Sequence, residues 1–234
     1  PKDLCSLEEL QGLLNAGVKS LKIEGRMKRP EYVATVVRIY RKYLDNILET
    51  GAGIVDRQDM KELTQIFNRG GFSKGYLLGK TGQDMMCYEK PKNWGVYLGE
   101  VMSYDKASRS VRLKLEDNLS LGDGIEVWTG ENESPGTVVS EIKINGKNVP
   151  EAGANRVADI GGLVGRISRG DKVYKTSDKA LNTAARESFT RGLRKIGIYG
   201  KAAIKSSEPV RLNIYDERGN EVGLSGEALP EKAI

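Results

Sequence analysis

The sequence predicts a multi-segment α+β protein: the end of an α/β domain, then a small β-barrel, then the start of a further β domain. Three observations lead there. The first third alternates helical apolar spacing with one strand-like run. From Trp94 onward, short alternating runs are separated by Gly-Asp, Asn-Gly and Pro-Gly pairs. A helical stretch near Lys179–Phe189 then gives way to alternation again. The expected boundaries are 1–91, 92–178 and 179–234.

Taken in order, Ser6-Leu7-Glu8-Glu9 fits a capping box, in which the Ser hydroxyl accepts from the third helical amide and Glu9 reaches back. Leu7, Leu10 and Leu14 share one face, and Gly17 suits a left-handed helix end. Across Val18–Glu24, Leu21 and Ile23 alternate with Lys22 and Glu24, as in a short strand. Pro30 opens the next helix, where its missing N–H costs nothing, and the helix runs to about Leu48. Its inward face is expected to carry Val33, Val36, Val37, Tyr40, Leu44 and Ile47. Asp56 caps a third helix with Met60, Leu63, Ile66 and Phe67 inward, ended by Gly70-Gly71. A strand followed by a covering helix is the α/β repeat, but one unit cannot cover both faces of its strand. The chain also opens at Pro1 without an initiator Met, so it reads as an internal piece of a longer protein.

The barrel strands are expected at 96–98, 111–115, 125–128, 138–142 and 162–167. Leu121-Gly122-Asp123-Gly124 and Arg169-Gly170-Asp171-Lys172 look alike, each a turn feeding a strand. The last part reads as strands at 196–199, 210–215 and 221–224, with a hairpin turn at Arg218-Gly219-Asn220.

Composition removes whole classes of chemistry. The 234 residues hold 37 Lys+Arg and 32 Asp+Glu, a net charge of +5, with no His and 2 Cys. Ser-His-Asp and Cys-His catalysis and His-ligated metals are therefore excluded within the chain. Two cysteines cannot close a four-thiolate site, and such low usage points to a reducing cytoplasm. No apolar run reaches the ~18–20 residues of a membrane helix. The charge would suit RNA, but the basic residues are spread along the chain and no aromatic-rich basic run stands out.

The block Ser20-Leu21-Lys22-Ile23-Glu24-Gly25-Arg26-Met27-Lys28-Arg29-Pro30-Glu31-Tyr32-Val33 resembles the collagenase-like peptidases of family U-32. Lys2-Asp3-Leu4-Cys5, Phe67–Tyr76 and Asn93–Gly99 are similar to the same family, in the same order. The resemblance implies that residues 1–91 are the closing part of a (β/α)8-like barrel. It implies that residues 92–178 form a barrel like the second domain of translation elongation factors. Family members include proteases of unknown catalytic type, often collagen-directed. Others take part in prephenate-dependent hydroxylation of rRNA or tRNA, several with an iron–sulfur cluster on four cysteines. The first functional expectation is thus a collagenase-like protease whose active site is incomplete here, acting on protein or peptide. The alternatives are an RNA-hydroxylation protein and a β-barrel that binds structured RNA or protein.

Candidate residues follow from the same blocks. Lys22, Glu24 and Arg26 sit at a strand end and its following loop, the face that carries chemistry in a (β/α)8 barrel. Glu24 could act as a base, a metal ligand or the anchor that orients an arginine, and Arg26 could hold a carboxylate or phosphate. Arg69, at a helix C-terminus, and Tyr76 are candidates for substrate binding. Cys5 falls where the resemblance places the last cluster cysteine, with the other three ligands outside this chain. No cofactor is expected in the 234 residues alone.

Overall fold

The computed structural model describes residues 1–79, 82–130, 134–192 and 195–230. Two compact units result, Pro1–Thr190 and Arg191–Ile234.

The first unit begins with β1 (Asp3–Leu4), which pairs in parallel with β2 (Phe72–Ser73). Between them lie a 3₁₀ turn (Leu7–Glu9), α1 (Leu10–Asn15), α2 (Pro30–Thr50) and α3 (Arg57–Ile66). Pro30 occupies the first turn of α2, and Gly51 ends it at φ 77°, where a side chain would be strained. Asp56 caps α3 by accepting from the Gln58 amide at 2.6 Å.

Three local expectations fail here. Ser6 makes no side-chain cap; its amide instead donates to the Tyr40 hydroxyl at 3.0 Å, because Leu7 and Leu10 pull this segment down onto α2. The buried stripe of α2 is Val36, Ile39, Tyr43 and Ile47, rotated from the predicted one. Val37, Tyr40 and Leu44 line an apolar groove on its flank with Leu14, Leu21 and Ile23. Residues 18–24 form no strand, since among the described residues no strand pairs with them to complete a ladder.

The β segment comprises β3 (Val96–Asp105), β4 (Ser110–Lys114), β5 (Leu119–Ser120), β6 (Gly124–Trp128), β7 (Gly136–Val138), β8 (Ile142–Ile144), β9 (Lys147–Asn148), β10 (Glu151–Ala152), β11 (Val157–Ile160) and β12 (Lys172–Ser177). Eight of these strands form one sheet in the order β7-β6-β12-β3-β4-β11-β8-β9, and β5 pairs with β10. Only residues 139–141 connect β7, at one edge, to β8 near the other. A three-residue link reaches roughly 10–14 Å at full stretch, so the sheet must curl back on itself. Alternation points Val111 and Leu113, Ile125 and Val127, and Ala158 and Ile160 into the enclosed core. The run 138–142 is therefore not one strand but the crossing between two. Residues 162–167 are irregular, although Leu163 and Ile167 are still buried in the core.

The two look-alike turns are built the same way. Asp123 and Asp171 each accept, through Oδ2, from the amide three residues back, Ser120 at 2.9 Å and Ser168 at 2.8 Å. The preceding glycines, Gly122 and Gly170, have φ near 90°.

Helix α4 (Lys179–Thr190) packs on α2 in this first unit, through Arg186 bonded to buried Glu31 at 2.7 Å. The helices are tied to the barrel by Gln65 on the Lys175 carbonyl (2.8 Å) and Asn68 on the Gly95 carbonyl (2.9 Å).

The second unit is a three-stranded antiparallel sheet, β13 (Ile198–Ala203), β14 (Arg211–Asp216) and β15 (Glu221–Ser225). The Asp216 carboxylate closes its hairpin by accepting from the Arg218 and Asn220 amides. No helix among the described residues is long and apolar enough to cross a membrane.

Candidate functional site

The tail of α3, the 21–28 segment and β1 enclose a cleft of about 540 Å³. Its walls gather Cys5, Lys22, Glu24, Arg26 and Arg69, five of the six residues singled out in the sequence. Tyr76, 76% exposed, lies outside it.

The cleft is assembled by polar fixtures. Asn68 is buried and bonds three ways: to the Thr64 carbonyl, to the Gly95 carbonyl and, through Oδ1, to the Gly71 amide at 3.0 Å. That arrangement turns the chain sharply after α3 and aims Arg69 back across the cleft. Arg69 then grips Asp3 with two bonds, Nη2 at 2.8 Å and Nε at 3.3 Å. The Asp3 carboxylate beside it raises the arginine's pKa further. Arg69 is thus held in a defined ion pair with Asp3.

Glu24 Oε1 accepts from the Arg26 amide at 2.9 Å, while Oε2 lies 4.0 Å from Lys22 Nζ. Both side chains are open to solvent, 87% for Lys22 and 69% for Glu24, so this pair is weak. Glu24 thereby shapes the turn that carries Arg26, through the backbone amide rather than the guanidinium.

Cys5 is 4% exposed, among Leu7, Leu10, Val36 and Ile39. The Tyr40 hydroxyl donates to its Sγ at 3.7 Å. Burial, and then the thiol beside it, push the Tyr40 pKa up to about 12. Among the described residues no three His, Cys, Asp or Glu side chains come together as a metal site. The chain's two cysteines cannot supply a four-thiolate cluster by themselves.

Sequence reasoning missed Lys28, Tyr32, Phe67 and Asp3 as members of the site. Lys28 Nζ sits 2.8 Å from the centroid of Phe67 and 5.8 Å from that of Tyr32. Burial lowers its pKa, Asp3 opposes that, and Arg69 adds to it. Lys28 and Asp3 lie inside two of the motif blocks, but nothing in their spacing marks them out.

Residues 1–87 match the profile of peptidase family U32. The chain is 32% identical over 137 residues to a tRNA hydroxylation protein of Bacillus subtilis, covering 57% of this chain and 32% of that protein. It is 29% identical over 185 residues to an uncharacterized protease of Methanocaldococcus jannaschii, covering 74% and 43%. It is 31% identical over 150 residues to a collagenase of Porphyromonas gingivalis, covering 61% and 40%. The chain thus spans about a third to two fifths of the length of these relatives.

Proposed function

We propose, from the match of residues 1–87 to the profile of peptidase family U32, that the chain is part of an RNA-hydroxylation protein of that family. In this reading residues 18–24 are one strand of a (β/α)8-like barrel completed by strands outside this chain. Lys22, Glu24 and Arg26 then stand at the ligand-facing mouth of that barrel. The chain's own contribution is to bind and orient an anionic substrate.

One observation carries this reading: the cleft has surplus cations and lacks a nucleophile with its base. Asp3 is committed to Arg69, and Glu24 to its own loop. Cys5 is buried, and the Tyr40 hydroxyl beside it donates to its sulfur rather than taking a proton from it. No histidine is present to do so. An RNA-modifying role is also the one named for the Bacillus subtilis relative.

The test is nucleoside mass spectrometry of tRNA and rRNA from cells lacking the whole protein, complemented with wild type, Glu24→Gln or Arg26→Gln. Wild type restores a hydroxylated nucleoside, and Arg26→Gln does not. Gelatin cleavage by the purified whole protein, abolished in Glu24→Gln, would establish the peptidase reading instead.

A further inference from the structure

Resting on the RNA reading, we propose that a single RNA strand crosses the turn Gly25–Lys28, with one backbone phosphate on Lys28 and the flanking nucleotides in two joined hollows.

The cleft is not a dead end. A second hollow, of about 420 Å³, lies between the start of α2 and the barrel and is lined in part by Asn93, Ser177 and Asn182. The two hollows share Met27, Lys28, Tyr32 and Phe67, so they form one trough with Lys28 at its waist. Each falls within the roughly 300–1,000 Å³ that accommodates an organic ligand.

The waist is shaped for a strand. The Lys28 amide donates to the Gly25 carbonyl at 3.0 Å, closing a tight turn. Inside that turn Met27 is held at φ 62°, an uncommon conformation for a side-chain-bearing residue, and is 94% exposed. Lys28 is thereby laid across Phe67 rather than against a carboxylate.

Charge selects the occupant. Three carboxylates on the trough are paired with cations, Asp3 with Arg69, Glu31 with Arg186 and Asp178 with Lys175, and Glu24 accepts from the Arg26 amide. Arg26, Lys28 and Arg29 have no carboxylate partner among the described residues. Three cations without an ion-pair partner within four residues of chain, beside half-buried Tyr32 and Phe67, match a ligand with repeating charge and flat rings. An acidic peptide would satisfy the charge but make no use of the rings.

The experiment is fluorescence anisotropy of the whole protein with a labelled single-stranded RNA 12-mer across a salt series, using wild type, Lys28→Met, Lys28→Arg and Arg29→Gln. Methionine keeps the packed stem on Phe67 and removes the charge. Lys28→Met should weaken binding and reduce the slope of log K against log salt by about 1, and Lys28→Arg should restore it. Wild-type affinity and slope in both Lys28→Met and Arg29→Gln would overturn the proposal. So would equal competition by a poly-glutamate peptide of matched charge. If wild type restores the hydroxylated nucleoside in cells while Lys28→Met and Arg29→Gln both bind RNA normally, this inference alone fails. If wild type neither binds RNA nor restores the nucleoside, the functional reading fails with it.

Discussion

Replacing Asp59 with Asn should loosen the floor of the cleft by an amount the structure lets one work out. Asp59 is 5% exposed and accepts from both the Tyr43 hydroxyl and Lys42 Nζ at 2.6 Å through one oxygen. The Tyr43 hydroxyl in turn accepts from the Asp56 amide at 2.7 Å, so a single chain of bonds pins the start of α3 to α2. At its other end α3 delivers Phe67, Asn68 and Arg69 to the cleft. A buried hydrogen bond to a charged group contributes about 1.5–3 kcal/mol. The Lys42 side chain is 54% exposed, so its pairing adds only about 0.5 kcal/mol. Asparagine keeps the shape and one neutral bond, which leaves an expected loss of about 2 kcal/mol, or roughly 30-fold in the folding equilibrium. Burial alone would raise the Asp59 pKa, but its bonds to Lys42 and Tyr43 prevail and hold it below the usual value. A depressed carboxylate stabilises above its unfolded pKa, and that stability is lost as pH falls through the folded pKa. Urea melts followed by circular dichroism at 222 nm should therefore show the wild-type advantage at pH 7 and its disappearance well below pH 3.9. A difference under about 0.5 kcal/mol at pH 7, or one that does not change with pH, would refute the reasoning.

Two further substitutions probe the other fixtures. Tyr40 titrates at about 12 in the fold and near 10 unfolded, so the stability it contributes falls as pH rises between those values. Tyr40→Phe should flatten the alkaline limb of a melting-temperature profile, and an unchanged limb would remove the tyrosine from that role. Gly95, at φ 69°, has no room for a side chain, since a Cβ would lie 1.9 Å from the Lys175 carbonyl oxygen. Gly95→Ala should cost more than about 3 kcal/mol, read from the same urea melts, and a near-neutral result would mean that the seam between barrel and helices yields.

The curled sheet was legible in the sequence where its strands bury one face only, as β4 and β6 do. Period-two patterns such as Val111-Arg112-Leu113 and Ile125-Glu126-Val127 carry their own orientation, and the repeated Gly-Asp turns mark where strands begin. What was not legible is what depends on partners distant in sequence. The break of 138–142 into two strands follows from the curl of the sheet, which local spacing cannot express. The rotation of the α2 stripe follows from Tyr43, whose hydroxyl found Asp59 and Asp56 and drew that side of the helix inward. In the cleft, Lys22, Glu24 and Arg26 were picked out by the block that resembles the family and by their place at the end of an alternating run. Lys28 and Asp3 were not, because what defines them is an aromatic face and an arginine about 40 and 66 residues away.

The run Val18–Glu24 tests whether the cleft awaits further walls. It has the composition of a strand, with Leu21 and Ile23 facing the groove on α2 and Lys22 and Glu24 on the other side. Yet it joins no ladder in this fold. Backbone groups left without partners persist only where water can reach them. In the 234-residue chain, amides 20–24 should therefore exchange with solvent deuterium within seconds, while Val111 and Leu113 in the sheet stay protected for far longer. If strands outside this chain complete a (β/α)8-like barrel, the same amides in the whole protein pair on both sides. Their exchange should then slow by several orders of magnitude, since each about 1.4 kcal/mol of opening free energy is tenfold in rate. Equally fast exchange in both proteins would mean that these residues are a surface loop, and that the cleft is already as complete as it becomes.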